Sequence, residues 1–262
     1  MLSITVTLPA MAVPLALAAA GMLACLPAAA SGQLTVPILA QESVAPKWIA
    51  GQAKPQGICA DVLAAIENID PRIRFVGHDR ARSLAVIEDS LARGTVWGAC
   101  ALVDSPVRKH IAARVSVPLY EARYRLAAAA GDTEAVASLD DLARRKPLVN
   151  TPRGSGYIAE LKSRGLEIDD STGDSLTNLR KTIHGHGRYT YLNEPSMMYY
   201  IRTAGLEHKL TVLPAVFNPS YTYFWVSKRA DPALAPAIEA ALAKLKASGE
   251  LARIYNRWTS LR

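Results

Sequence analysis

No charged side chain precedes Glu42, and cysteine, phenylalanine and tryptophan are scarce throughout the chain. Three cysteines in 262 residues exclude a small scaffold held by a disulfide framework. Aromatic residues are only 6% of the total, but 50% are hydrophobic and 20% charged, proportions that bury a core and exclude a disordered tail. No apolar run reaches membrane-spanning length: Pro14 and Pro27 bracket a core of about 12 residues, where a spanning helix needs roughly 20. A mean hydropathy of +0.10 likewise excludes a polytopic membrane protein and fits a soluble one. The glycine-rich dinucleotide fingerprint is missing. Arg153-Gly154-Ser155-Gly156 has neither the spacing of a nucleophile elbow nor the lysine of a phosphate loop. His184 and His186 have no carboxylate or thiol at ligand spacing and read as a polar turn, so neither a metal nor a cofactor is expected. Thirty basic residues against 23 acidic give a net charge of +7, but they are scattered rather than gathered into a stripe, and nucleic acid is not an expected partner.

What is present begins with the amino terminus. The alanine-rich stretch Leu15 to Ala30 closes on Ala28, Ala29 and Ala30 before Ser31 and Gly32, and reads as an export signal over residues 1–30, although no Lys or Arg precedes it. A membrane anchor is its main competitor, and Met22-Leu23-Ala24-Cys25 offers a weaker lipoprotein reading with Cys25 acylated. Export would place Cys59 and Cys100 in a compartment where disulfides persist, which makes one bridge the default and two buried thiols the alternative.

Beyond residue 33 apolar strands and amphipathic helices alternate. Strands are predicted at Leu34–Leu39, Ile73–Val76, Val96–Val103, Leu148–Asn150, Leu166–Ile168, Tyr189–Leu192 and Leu210–Leu213. Helical faces are marked by Val62, Leu63 and Ile66, by Leu84, Ile87 and Leu91, by Leu176, Leu179 and Ile183, and by Leu234, Ile238, Leu242 and Leu245. Val115–Ala130 is long and extended enough to leave one sheet and enter another, and Tyr221–Val226 could return. This rhythm predicts α/β lobes with largely parallel sheets.

Three features fit the capture of a small charged molecule. Ser105-Pro106-Val107-Arg108 caps a helix at a strand's carboxyl end and sets Arg108 in its first turn, where a guanidinium can hold a carboxylate. Gly154, Ser155 and Gly156 begin another helix, whose free N–H groups attract anions. Asn193-Glu194-Pro195 sets a carboxylate at a strand end, where it can pair with an ammonium group. Each also has an ordinary reading: an exposed arginine, a tight turn, and a favourable first-turn charge.

In order along the chain, these residues resemble the family 3 extracellular solute-binding proteins, the polar amino acid receptors of ABC importers. Gly57-Ile58-Cys59-Ala60-Asp61-Val62 resembles the family's first helix start, Ser105-Pro106-Val107-Arg108 its Thr-Pro-Glu-Arg, and Pro118-Leu119-Tyr120 its Pro-Tyr-Tyr. Gly249 through Ile254-Tyr255-Asn256-Arg257-Trp258 resembles its carboxyl-terminal motif. The resemblance implies a type II periplasmic binding protein fold: one lobe from residues 31–122 plus 222–262, a second from 123–221, each a mostly parallel sheet flanked by helices, joined by two hinge crossovers. It implies a periplasmic monomer that holds a zwitterionic or carboxylate ligand for a membrane permease. Arg108 would bind the ligand's carboxylate with the amides of Gly154 to Gly156, and Glu194, beside Asn193, its amino group. Val103 replaces a usual hydroxyl contact, and Trp48 stands where a stacking aromatic is usual, or else covers the core. Cys59 and Cys100 would bridge one wall of the cleft. No catalytic residue is expected; the alternatives are a cyclohexadienyl-dehydratase-like enzyme using Glu194 as general acid or base, and a ligand sensor for a membrane receptor.

Overall fold

The computed structural model describes residues 1–5, 32–42, 44–49, 54–132 and 134–260. The expected export signal and Cys25 lie largely or wholly outside these described residues. Gln33–Arg262 forms one compact unit.

Its first part runs β1 (Leu34–Pro37), β2 (Ala40–Gln41), α1 (Ile58–Ile69), β3 (Ile73–Val76), β4 (Ala81–Arg82), α2 (Leu84–Arg93), β5 (Gly98–Val103), α3 (Pro106–Ile111) and the long β6 (Ala112–Ala129). Next come α4 (Leu139–Arg145), β7 (Leu148–Asn150), α5 (Ile158–Ser163), β8 (Glu167–Asp169), α6 (Ser175–Ile183), β9 (Tyr189–Asn193), α7 (Glu194–Thr203) and β10 (Leu210–Val212). The chain ends with β11 (Phe217–Ser227), α8 (Leu234–Ala247) and α9 (Glu250–Thr259). The alternation read from periodicity is thus present. Two-residue strands such as β2 and β4 are too short to leave a periodic trace.

Parallel pairing joins β1 to β3, β2 to β4, and β7 to both β8 and β9. The crossover strands add antiparallel pairs to that expectation: β6 and β11 pair with each other, β11 with β5, and β6 with β9 and β10. Both long strands contribute to two separate groups of buried side chains. Leu119 of β6 and Phe224 of β11 pack with Val36, Leu63 and Ile238, whereas Leu126 of β6 and Phe217 of β11 pack with Val149, Leu161 and Tyr191. Each fully buried Leu, Ile or Phe contributes roughly 1.5–3 kcal/mol, so two such cores fix both ends of the strand pair.

The amino end of α1 is held by main chain and by a covalent bond. The Pro46 and Lys47 carbonyls accept from the N–H groups of Ile58 and Cys59 at 2.9 and 3.0 Å. Gly57 has φ 114°, and a Cβ there would come within 2.5 Å of the Pro46 oxygen, so only glycine fits this close approach. Cys59 and Cys100 form a disulfide that joins the first turn of α1 to β5. The carboxyl-terminal motif acts as a fastener: Leu251 and Ile254 are buried, Tyr255 stacks on Tyr120 with ring centroids 5.0 Å apart, and Trp258 Nε1 donates to Asp61 of α1 at 2.9 Å.

Candidate functional site

The carboxyl end of β5 opens onto a cavity of about 660 Å³, lined on one side by Lys47, Glu88, Val103 and Arg108 and on the other by Pro152–Tyr157 and Asn193. Tyr124, on the crossover strand β6, joins Tyr157 in the wall. The two rings meet edge to face at 4.8 Å, and Tyr124 lies flat against Tyr191 behind it at 5.5 Å, which makes this wall stiff as well as apolar. Burial raises the Tyr124 and Tyr157 hydroxyls above the usual phenol range, so both rings remain neutral at physiological pH.

Arg108 is placed by local sequence. Ser105 is the N-cap of α3, its hydroxyl accepting from the Arg108 N–H at 3.2 Å, and Pro106 supplies the preset first turn. Arg108 is only 5% exposed. Its Nε and Nη2 donate to one oxygen of Glu88 at 3.0 and 2.8 Å, its Nη1 donates to the Val103 carbonyl, and its guanidinium faces the Trp225 ring at 5.6 Å. A buried cation needs such partners to offset lost hydration. One N–H on each terminal nitrogen has no acceptor among the described residues and is available to a ligand carboxylate.

Val103, Arg108, Gly154, Ser155, Gly156 and Asn193 all line the cavity. The Ser155 N–H and hydroxyl both go to the Pro152 carbonyl, at 3.2 and 2.7 Å, whereas the N–H groups of Gly154 and Gly156 have no acceptor among the described residues. Glu194 and Trp48 are placed elsewhere. Glu194 is the first residue of α7, turns out of the cavity lining, and pairs with Arg125, whose Nε and Nη2 also donate to the Leu213 carbonyl at 2.9 and 2.7 Å. Helical geometry from Glu194 onward sends its side chain away from the direction of its extended neighbour. Asn193 therefore stands at the cavity: its Oδ1 caps α7 by accepting from the Ser196 N–H at 3.0 Å, which leaves its amide hydrogens as donors. Trp48, 4% exposed, packs in the core among Val36 and Ile58 instead of reaching the cavity.

Lys47, Glu88, Tyr124 and Tyr157 belong to the site but escaped the sequence reading. Lys47 Nζ donates to Gln41 Oε1 at 2.6 Å, and burial together with the nearby positive charge of Arg108 pushes its ammonium down to about 7. Its position beside Trp48 was the available signal. Glu88 lies half-buried beside the apolar face marked by Leu84, Ile87 and Leu91, and helical spacing alone does not say what it meets. His186 pairs with Asp169 at 3.2 Å, and among the described residues no group of three or more His, Cys, Asp and Glu side chains is placed to hold a metal.

A mixed α/β fold with two strands shared by two cores, and a cavity lined from both, defines a type II periplasmic binding protein architecture. The ligand-binding core of GluR0 with L-glutamate superposes with a TM-score of 0.73 at 16% identity, covering 88% of this chain and 100% of that one. A histidine kinase sensor domain similar to periplasmic binding proteins gives 0.71 at 21% identity, covering 86% and 95%. An ancestral amino acid-binding protein, a precursor of cyclohexadienyl dehydratase, gives 0.70 at 17% identity, covering 86% and 96%. The sequence of residues 38–260 matches the model of the bacterial extracellular solute-binding proteins, family 3, and the chain belongs to that family. Comparison with curated protein sequences finds no match.

Proposed function

We propose that this protein is an exported, periplasmic solute-binding protein that holds a small carboxylate-bearing ligand in the cavity and delivers it to the permease of an ABC importer. The observation that carries this reading is the Arg108 guanidinium, fixed at the cavity by Glu88, Val103 and Trp225 with one N–H on each terminal nitrogen lacking an acceptor among the described residues. Residues 31–122 with 222–262 form one lobe and 123–221 the other; the division of the buried side chains about β6 and β11 supports this, and ligand binding draws the lobes together as a monomer. The position of Glu194 favours binding over dehydratase chemistry, because the carboxylate put forward as general acid or base faces Arg125.

The test is a thermal-shift panel of amino acids, amides and small carboxylates on the mature protein, since a ligand at about 100 times its Kd stabilises by about 2.7 kcal/mol. A shift produced by carboxylates and abolished by Arg108→Ala supports the reading. Binding unaffected by that substitution removes it. Co-purification with a permease rather than a receptor kinase separates transport from sensing.

A further inference from the structure

The donors and acceptors around the cavity are unevenly matched. Three acids in its lining already have cationic partners: Glu88 pairs with Arg108, Asp104 with Arg114 at 2.8 Å, and Glu160 with Arg164 at 3.1 Å. Glu42 is exposed. Lys47 also lines the cavity and has no carboxylate partner among the described residues; a neutral amide oxygen, that of Gln41, is its acceptor. At the end of β9, the cavity meets Asn193, a neutral amide whose Oδ1 already caps α7 and whose amide hydrogens are free to donate. The carboxylate next in sequence, Glu194, is neutralised by Arg125 outside the cavity lining.

An α-ammonium group would therefore meet an amide donor at β9 and a cation at Lys47. Neither offers it a compensating negative charge, and an unpaired buried charge is strongly disfavoured. A second anionic group would meet the only partly buried lysine in the cavity lining. We infer that the ligand is a dicarboxylate without an amine, one carboxylate on Arg108 and the second at Lys47, with Asn193 donating to an oxygen of the ligand. This inference rests on the reading of Arg108 as the carboxylate anchor.

Titration calorimetry with succinate, glutarate and adipate, against butyrate and L-glutamate, tests it. At least one dicarboxylate should bind tenfold or more tightly than butyrate and more tightly than L-glutamate. Lys47→Met should remove that tenfold advantage over butyrate, and Lys47→Arg should keep it. Asn193→Asp should weaken the dicarboxylate at least tenfold. Melting transitions of each variant confirm folding, and the comparison of ligands on the unaltered protein decides the matter even if a variant fails to fold. Tighter binding of L-glutamate, or equal binding of butyrate and the dicarboxylates, overturns the inference while leaving the Arg108 reading intact, provided Arg108→Ala abolishes that binding. No binding of any of these acids overturns both.

Discussion

Arg108 and Glu88, twenty residues apart, share one carboxylate oxygen between Nε and Nη2 at 3.0 and 2.8 Å, on a guanidinium whose side chain is 6% exposed. The pair occupies the lateral edge of the arginine and fixes it in the cavity wall. Arg108→Ala should weaken carboxylate binding by about 2–5 kcal/mol in titration calorimetry, because a buried ligand charge loses its partner. The same substitution should lower ligand-free stability by about 1–3 kcal/mol in urea unfolding, because Glu88 is left without its cation. Glu88→Gln keeps an acceptor in place and should cost less on both measures.

Glu194→Gln separates two assignments of one residue. With its carboxylate on Arg125 and not in the cavity lining, the variant should bind any ligand within twofold of the unaltered protein. It should lose about 1–2 kcal/mol of stability, since Arg125 gives up a charged partner. A tenfold loss of affinity in a normally folded variant would restore Glu194 to the binding site.

That residue also shows where sequence stops being informative. The order of elements was legible because core faces recur at periods of two and 3.6, and Arg108 was legible because Ser105 and Pro106 fix the start of a helix at a strand end. Of the expected pair Asn193 and Glu194 only Asn193 lines the cavity, and Lys47 lines it where its neighbour Trp48 was expected. Adjacent side chains diverge at a strand-to-helix junction or in a turn, so an error of one residue in a boundary exchanges cavity for core. Glu88, Tyr124 and Tyr157 reach the site through tertiary packing of α2, β6 and the turn before α5, for which local periodicity carries no signal.

The Cys59–Cys100 disulfide closes a loop with a sequence separation of 41 residues. Replacing both with alanine should lower stability by up to about 3–4 kcal/mol, the loop-closure entropy returned to the unfolded chain. Urea unfolding of the oxidised protein and the double variant measures this. Equal midpoints would show that the bridge contributes little beyond packing.

Asp169, at the end of β8, is held well below the usual carboxylate range chiefly by Lys181, whose Nζ donates to it at 2.8 Å, and by Ser171. Its native value lies below its unfolded value, so its contribution is fully present above about pH 4 and is lost as the pH falls through the native value. Asp169→Asn should therefore cost about 1–2 kcal/mol near neutrality, where the carboxylate is charged in both states. That difference should shrink steadily as the urea unfolding series is taken into acid.

Lys47 gives the pH dependence of binding the opposite sense. Burial and the charge of Arg108 set its ammonium at about 7, so it is largely charged below neutrality and largely neutral in mild alkali. A second carboxylate binds the charged form, and the dicarboxylate affinity should hold steady below about pH 6 and then decline, by at most tenfold per unit, as the proton is lost. Butyrate, anchored at Arg108 alone, should show no such decline, because a guanidinium stays protonated throughout this range. In Lys47→Arg the dicarboxylate curve should flatten for the same reason. Calorimetry between about pH 5.5 and 8.5 in buffers of different ionisation enthalpy would also count the proton taken up when the dicarboxylate binds near pH 7. A dicarboxylate affinity that is flat in the unaltered protein and in Lys47→Arg alike would remove Lys47 from the ligand's second charge.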